Sequence, residues 1–168
     1  MSSASAFPDA TTAEVDISLQ TAAGAFHIFR KLSGERKASF LNAIADLLEQ
    51  NTEEIISLAN GETSLSLPRL RMELQRTVNE TRLFAELAQS GNWRESRSDE
   101  AEPDRIPIPK PGLQSSNLPL GPVVVIGACN FPLAISVVGT DTMSALAVGC
   151  PVIVKAHPGH PGTCAKLG

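Results

Sequence analysis

Pro122-Val123-Val124-Val125-Ile126-Gly127 and, further on, Pro151-Val152-Ile153-Val154-Lys155 are two short β-branched runs, each opened by a proline and each ending at a loop. A run that is apolar without alternation is the pattern of a strand covered on both faces, as in a parallel sheet. Parallel strands need a crossover between them, and the intervening residues provide one. A turn, Ala128-Cys129-Asn130-Phe131-Pro132, leads into an Ala-rich stretch from about Leu133 to Val148 that reads as helix, with Gly149 placed to close it. The segment is therefore predicted to be strand, crossover helix, strand: a βαβ unit, and an α/β fold. His157–Gly162 forms a second loop, and Thr163–Gly168 begins another helix. Two strands this apolar call for more sheet than the chain supplies, so the chain is expected to be part of a longer protein.

Working outward from this segment, the charge distribution divides the chain. Residues 111–168 hold only Asp141, Lys155 and Lys166 from the charged set, while the rest of the 14 basic and 18 acidic side chains fall in residues 1–110. The expected organisation is a helical scaffold and the start of a connection over 1–110, then the βαβ region over 111–168. The scaffold reads as four amphipathic helices. Thr11 and Glu14 form a capping box, followed by a stripe of Val15, Leu19, Ala22, Phe26 and Phe29. Ser33 caps a second helix with Phe40, Leu41, Ile44, Leu47 and Leu48 on one face. A shorter helix near Glu53–Asn60 carries Ile55, Ile56 and Ala59 and is predicted to end at Gly61. Pro68 suits the first turn of a long fourth helix bearing Leu70, Leu74, Val78, Phe84 and Leu87. Between Gly91 and Pro122 the acidic residues and prolines predict an extended connection, with strand pieces near Ile106–Ile108.

The composition excludes several classes. A net charge of −4 leaves no basic footprint for nucleic acid, and 4% aromatics without Tyr argue against base stacking. The first residues, Met1-Ser2-Ser3-Ala4-Ser5-Ala6, lack the charged and apolar regions of a secretory signal. Cys129, Cys150 and Cys164 are odd in number and widely spaced, which predicts free thiols in a reducing cytoplasm. The uncharged stretch from Pro111 to Thr140 is broken by Gly121, Pro122, Gly127, Asn130 and Pro132, so a buried βα unit accounts for it better than a membrane span.

Ligands of open α/β sheets bind beyond the carboxyl ends of the strands, which selects two loops. The first, Gly127-Ala128-Cys129-Asn130-Phe131-Pro132, lacks the second and third glycines of a dinucleotide fingerprint. It does present the carboxamide of Asn130, which could donate to a developing oxyanion or simply cap the following helix. The second begins at Lys155, which could meet a ribose or phosphate or only face solvent. No Asp or Glu occurs from Pro151 to Gly168, whereas Lys155, His157, His160 and Lys166 do. A nucleotide bound there would find no carboxylate for its ribose 2′-hydroxyl, which favours NADP or dual use over NAD alone. His157, His160 and Cys164 lack the further ligands of a zinc site, so no metal is expected. Cys129 has no base in its loop and is read as a packing residue.

Two segments carry a family resemblance. Leu118-Pro119-Leu120-Gly121-Pro122-Val123 through Asn130-Phe131-Pro132-Leu133 resembles the P-x-G-P-V … N-F-P segment of the aldehyde dehydrogenase superfamily. Ala145-Leu146-Ala147-Val148-Gly149-Cys150-Pro151-Val152-Ile153-Val154-Lys155 resembles the segment that follows it. Leu32-Ser33, Glu35-Arg36 and Ile44-Ala45-Asp46 resemble the superfamily's amino-terminal helices. Lys155-Ala156-His157-Pro158-Gly159-His160-Pro161-Gly162-Thr163 and Arg82-Leu83-Phe84-Ala85-Glu86-Leu87 are similar to the branch of α-ketoglutaric semialdehyde (2,5-dioxovalerate) dehydrogenases.

The resemblance implies an NAD(P)-dependent oxidation of an aldehyde to a carboxylic acid, on a Rossmann-type fold of which this chain holds the first βαβ unit. It implies that Asn130 stabilises the thiohemiacetal oxyanion and that Lys155 meets the adenosine ribose. Ile126, Gly127, Ala128 and Cys129 would line the cofactor with backbone, beside His157 and Pro158. Pro158 falls where many NAD-preferring relatives carry Glu. The family's nucleophilic cysteine, general-base glutamate and oligomerisation strands would lie beyond Gly168, and none of Cys129, Cys150 or Cys164 matches the nucleophile. The chain alone is thus expected to be inactive, and the intact enzyme a homo-oligomer. Two other readings stay open: a non-catalytic docking module that fills a partner's sheet edge, and a small nucleotide-binding protein.

Overall fold

The computed structural model describes residues 7–168. Four helices come first: α1 (Thr12–Phe29), α2 (Gly34–Gln50), α3 (Thr52–Thr63) and α4 (Leu67–Ser90). A 3₁₀ turn at Asn92–Arg94 leads to an antiparallel pair, β1 (Arg97–Asp99) and β2 (Leu113–Ser115). The βαβ unit is β3 (Val123–Ile126), α5 (Thr140–Val148) and β4 (Val152–Lys155), and α6 (Pro161–Leu167) follows.

The helix starts follow their capping chemistry. Thr11 Oγ1 accepts from Glu14 N–H at 3.3 Å, and Glu14 Oε2 accepts from Thr11 N–H at 2.8 Å, closing the capping box. Ser33 Oγ accepts from Arg36 N–H at 3.2 Å. α4 carries Pro68 in its first turn and ends on Gly91 at φ 70°, the left-handed conformation glycine adopts without steric cost. α3 runs past Gly61, contrary to the predicted stop. Its cap is Ser64 at φ 59°, and Asn60 Nδ2 steadies the exit by donating to Leu65 O at 2.8 Å.

One hydrophobic cluster joins Leu41, Ala45 and Leu48 of α2, Ile55 and Ile56 of α3, and Leu70, Leu74 and Val78 of α4 with Leu133, Met143 and Ala147. Leu41, Ile56, Leu70 and Leu74 are fully enclosed, and each such side chain contributes about 1.5–3 kcal/mol of transfer free energy. The scaffold and the βαβ region therefore share this core. The α1 stripe is the exception. Only Ala22 is buried there, while Val15 and Leu19 are exposed, because α1 lies at the margin and meets little beyond β4. Phe40 and Leu47 of the α2 stripe are likewise exposed.

β3 and β4 pair in parallel, with Val123 opposite Val152 and Ile126 opposite Lys155. Two expectations for this region need correction. β3 is not covered on both faces: Val125 is buried, but Val124 and Ile126 are exposed, whereas Val152, Ile153 and Val154 of β4 are all half-buried. The crossover helix does not begin near Leu133. Residues 131–139 form turns, and α5 starts at Thr140 behind Gly139, whose backbone is extended. A Cβ on Gly139 would lie 2.0 Å from Ala134 O, so the chain reverses at the one residue that permits this approach. Strand pieces near Ile106–Ile108 are absent as well. Ile106 is almost fully exposed, and the pairing falls outside it, in β1–β2 and a bridge between Glu102 and Lys110. No described helix is long and apolar enough to cross a membrane.

Candidate functional site

The parallel register sets Ile126 and Lys155 side by side, so the loops after β3 and β4 leave the sheet together. Gly127 N–H donates to Lys155 O at 3.1 Å and prolongs the pairing by one residue. Gly127 is buried, and a Cβ there would come within 3.0 Å of Ser136 Oγ and 3.4 Å of His157 N, so a side chain would enter only if Ser136 gave way by a few tenths of an ångström. Ala128 N–H donates to Ile135 O at 2.8 Å and pins the turn onto its own far end. Cys129 is exposed, which corrects its reading as a packing residue; Cys150 and Cys164 are the buried thiols.

Asn130 is exposed, and its carboxamide has no hydrogen-bond partner among the described residues. It does not cap α5, whose N-cap is Gly139. Its backbone carbonyl accepts from Arg69 Nη2, and the Arg69 guanidinium sits 5.1 Å from the centroid of the Phe131 ring. A cation over an aromatic face is worth about 0.5–2 kcal/mol depending on solvation. The Asn130–Phe131 peptide is thus gripped from α4 while the amide side chain stays available.

Further along, buried Glu73 of α4 accepts from Leu133 N–H at 2.7 Å and Ala134 N–H at 2.9 Å, both on Oε1. Thr77 Oγ1 donates to Leu133 O at 3.0 Å. Glu80 Oε2 accepts from Thr140 Oγ1 at 2.6 Å. Burial acts to raise the Glu80 carboxyl, but hydrogen bonds from Thr140 and Arg76 outweigh it and hold the group below its ordinary value.

The second loop has its own supports. Lys155 and Pro158 are exposed, and half-buried His157 accepts Gly159 N–H on Nδ1 at 3.0 Å. The His157 and His160 rings stack at 5.3 Å. His160 is fully buried, with Nε2 at 3.0 Å from Ala128 O and Nδ1 at 3.3 Å from Cys164 Sγ. A carbonyl can only accept, so Nε2 carries the proton. In the neutral ring, Nδ1 then accepts from the Cys164 thiol. Cys164 Sγ lies 3.5 Å from Ser136 Oγ, which extends this chain of polar groups beneath both loops. α6 is held by Glu62, which accepts from Gly162 N–H, Thr163 N–H and Thr163 Oγ1, each at 2.7 Å. Burial acts to raise the Glu62 carboxyl; hydrogen bonds from Thr163 and Gly162 outweigh it and leave the value lowered.

Both loops meet at the carboxyl end of the parallel pair, where α/β sheets take their ligands. Asn130, Lys155, Ile126, Gly127, Ala128, Cys129, His157 and Pro158 all belong to these two loops or to the strand ends that open them. Residues 2–168 match the sequence profile of the "Aldehyde dehydrogenase family". The chain belongs to the aldehyde dehydrogenase family. It is 45% identical over 162 residues to alpha-ketoglutaric semialdehyde dehydrogenase 2 of Azospirillum brasilense, covering 96% of this chain and 31% of that protein. It is 43% identical over 157 residues to the alpha-ketoglutaric semialdehyde dehydrogenase of Acinetobacter baylyi, covering 94% of this chain and 30% of that one. The chain spans about a third of the length of these curated relatives. Among solved structures it superposes on NADP-dependent glyceraldehyde-3-phosphate dehydrogenase from Bacillus halodurans at TM-score 0.84 and 23% identity, over 96% of this chain and 33% of that one.

Four residues that support these two loops carry no local signal in the sequence: Arg69, Glu73, Glu62 and Ser136. Each acts on a partner far along the chain, as Arg69 does on Asn130 across 61 positions, and no local pattern signals such a contact. The sequence offers His160 as a weak metal ligand or as part of a basic set near a nucleotide phosphate, but it is fully buried. Its buried bond to Ala128 O makes it a support for the first loop instead.

Proposed function

We propose that this chain supplies the oxyanion-side and nucleotide-side loops of an NAD(P)-dependent aldehyde dehydrogenase that oxidises a semialdehyde, such as 2,5-dioxopentanoate, to the acid. The observation that carries the reading is Asn130. Its carboxamide is exposed and unpartnered beyond β3, its backbone is clamped by Arg69, and Lys155 stands at the paired end of β4. An amide carried on a clamped backbone can present its Nδ2–H to the oxygen that gains charge when an aldehyde carbonyl is attacked.

A nucleotide cofactor fits the donor set of the second loop. Lys155 is exposed at the strand end, His157 is half-buried beside it, and Pro158 offers no carboxylate. The nearby acid Glu62 has both oxygens engaged by Gly162 and Thr163. Lys155 Nζ would meet the ribose hydroxyls or a 2′-phosphate, with NADP favoured, while Ile126, Gly127, Ala128 and Cys129 wall the cleft with backbone. When bound, the nicotinamide supplies the hydride acceptor. Asn130 holds the oxyanion, and the water-shielded polar chain through His160 keeps Ala128 and its loop in place. The partners of the intact enzyme are then a small aldehyde and further copies of itself, with no role for nucleic acid or membrane.

Calorimetric titration of the enzyme carrying this chain tests the placement of Lys155. Lys155→Met should weaken NADP+ binding about tenfold or more, since a hydrogen bond to a charged group is worth about 1.5–3 kcal/mol. Unchanged affinity for both NADP+ and NAD+ would overturn it.

A further inference from the structure

α4 carries four arginines, and they are not equivalent. Arg71 pairs with Glu53, Arg76 with Glu80, and Arg82 with both Asp46 and Glu49. Arg69 has no carboxylate partner among the described residues. The acid one turn along the helix, Glu73, is buried and turned to Leu133 and Ala134. Arg69 instead crosses to the first loop, where one N–H bonds Asn130 O and the guanidinium carbon lies 5.1 Å from the centroid of the Phe131 ring. It is half-buried, whereas Asn130 beside it is exposed.

A guanidinium has five N–H donors in a planar fork, and one bond to a carbonyl leaves most of them unused. Contact with the Phe131 ring and the bond to the loop restrain that fork, so less rotamer entropy is left to lose when it binds an anion. The matching anion is a carboxylate, which takes two parallel N–H bonds. The position sets its origin. Arg69 adjoins the peptide of the residue proposed to hold the aldehyde oxygen, so a carboxylate bound to it would belong to the far end of the same substrate.

We propose that Arg69 is a specificity-determining residue that binds the distal carboxylate of an aldehyde acid. This rests on the site assigned to Asn130. An aldehyde with a carboxylate at its other end would be held at both ends, Arg69 on the acid and Asn130 on the carbonyl oxygen. An uncharged aldehyde of the same length would have only the second contact.

The test compares kcat/KM for 5-oxopentanoate and for pentanal in the enzyme carrying this chain, as wild type, Arg69→Gln and Arg69→Lys. Arg69→Gln should lower kcat/KM for both aldehydes through the loosened Asn130 peptide, but for 5-oxopentanoate by about ten- to a hundredfold more than for pentanal, the excess falling chiefly in KM. Arg69→Lys, which keeps the charge but not the fork, should recover part of the loss. Glutarate, a dicarboxylate without an aldehyde, should inhibit wild type competitively and Arg69→Gln weakly. NADP+ affinity measured on each variant separates a misfolded protein from a binding defect. An equal loss for both aldehydes would confine Arg69 to clamping the Asn130 loop and overturn the assignment, as would no loss for either. A wild-type enzyme that oxidises neither aldehyde would refute the dehydrogenase reading itself, whereas one that prefers pentanal would refute only the role of Arg69.

Discussion

Glu73 gives the sharpest energetic test of how α4 holds the site. Its Oε1 accepts two backbone N–H bonds, from Leu133 at 2.7 Å and Ala134 at 2.9 Å, and its Oε2 is buried with no partner among the described residues. Glu73→Ala removes the acceptor and leaves both N–H groups buried and unpaired. Each orphaned group costs about 1–3 kcal/mol, so the substitution should destabilise by about 2–6 kcal/mol. Glu73→Gln keeps an acceptor oxygen for the two N–H groups and places an amide where Oε2 is already unpartnered. It gives up the charge assistance of the bonds and buries that NH2 without an acceptor, so the expected loss is about 1–3 kcal/mol, still short of losing both backbone bonds. Equilibrium urea unfolding of the chain, followed by circular dichroism, reads both values from midpoints at constant slope. If Glu73→Ala and Glu73→Gln lost the same amount, or if Glu73→Ala lost less than about 1 kcal/mol, the buried acceptor would not be what secures residues 133–134.

Two further outcomes follow from neighbouring contacts. The Glu62 carboxyl is lowered in the folded chain, so its contribution is present above the ordinary carboxylate range and is lost as pH falls through the folded value. Glu62→Gln should therefore destabilise near about pH 7, and the gap to wild type should close toward about pH 3; a gap that widens on acidification would reverse the assignment. Gly34→Ala should cost several kcal/mol in the same unfolding assay, because a Cβ there would lie 2.3 Å from Ala88 O where α2 opens against α4. A neutral effect would mean the two helices separate freely at that end.

The fold was legible where the signal is local. Thr11 with Glu14, Ser33, Pro68 and Gly149 mark helix ends through signals within a few residues, and the β-branched runs ending at Ile126 and Lys155 mark the paired strands. It was illegible where a distant group decides. The stretch from Leu133 to Gly139 has a helical composition, yet Glu73, some 60 positions away, takes its amides, and Gly139 reverses the chain. The exposed faces of Val124 and Ile126 show a second limit, since apolar composition reports what a strand can bury and not what lies against it. The site divides in the same way. Asn130 and Lys155 could be placed because strand ends and parallel register are readable, whereas Arg69 and His160 reach the first loop through contacts formed only in three dimensions.

The central claim is that the free carboxamide of Asn130 stabilises a developing oxyanion in an aldehyde dehydrogenase. The most direct measurement is kcat for semialdehyde oxidation by Asn130→Ala in the enzyme carrying this chain, alongside NADP+ affinity on the same preparation. Loss of an oxyanion donor predicts a fall in kcat of about ten- to a thousandfold with cofactor affinity unchanged. An unchanged kcat would contradict the claim and remove Asn130 from the chemistry.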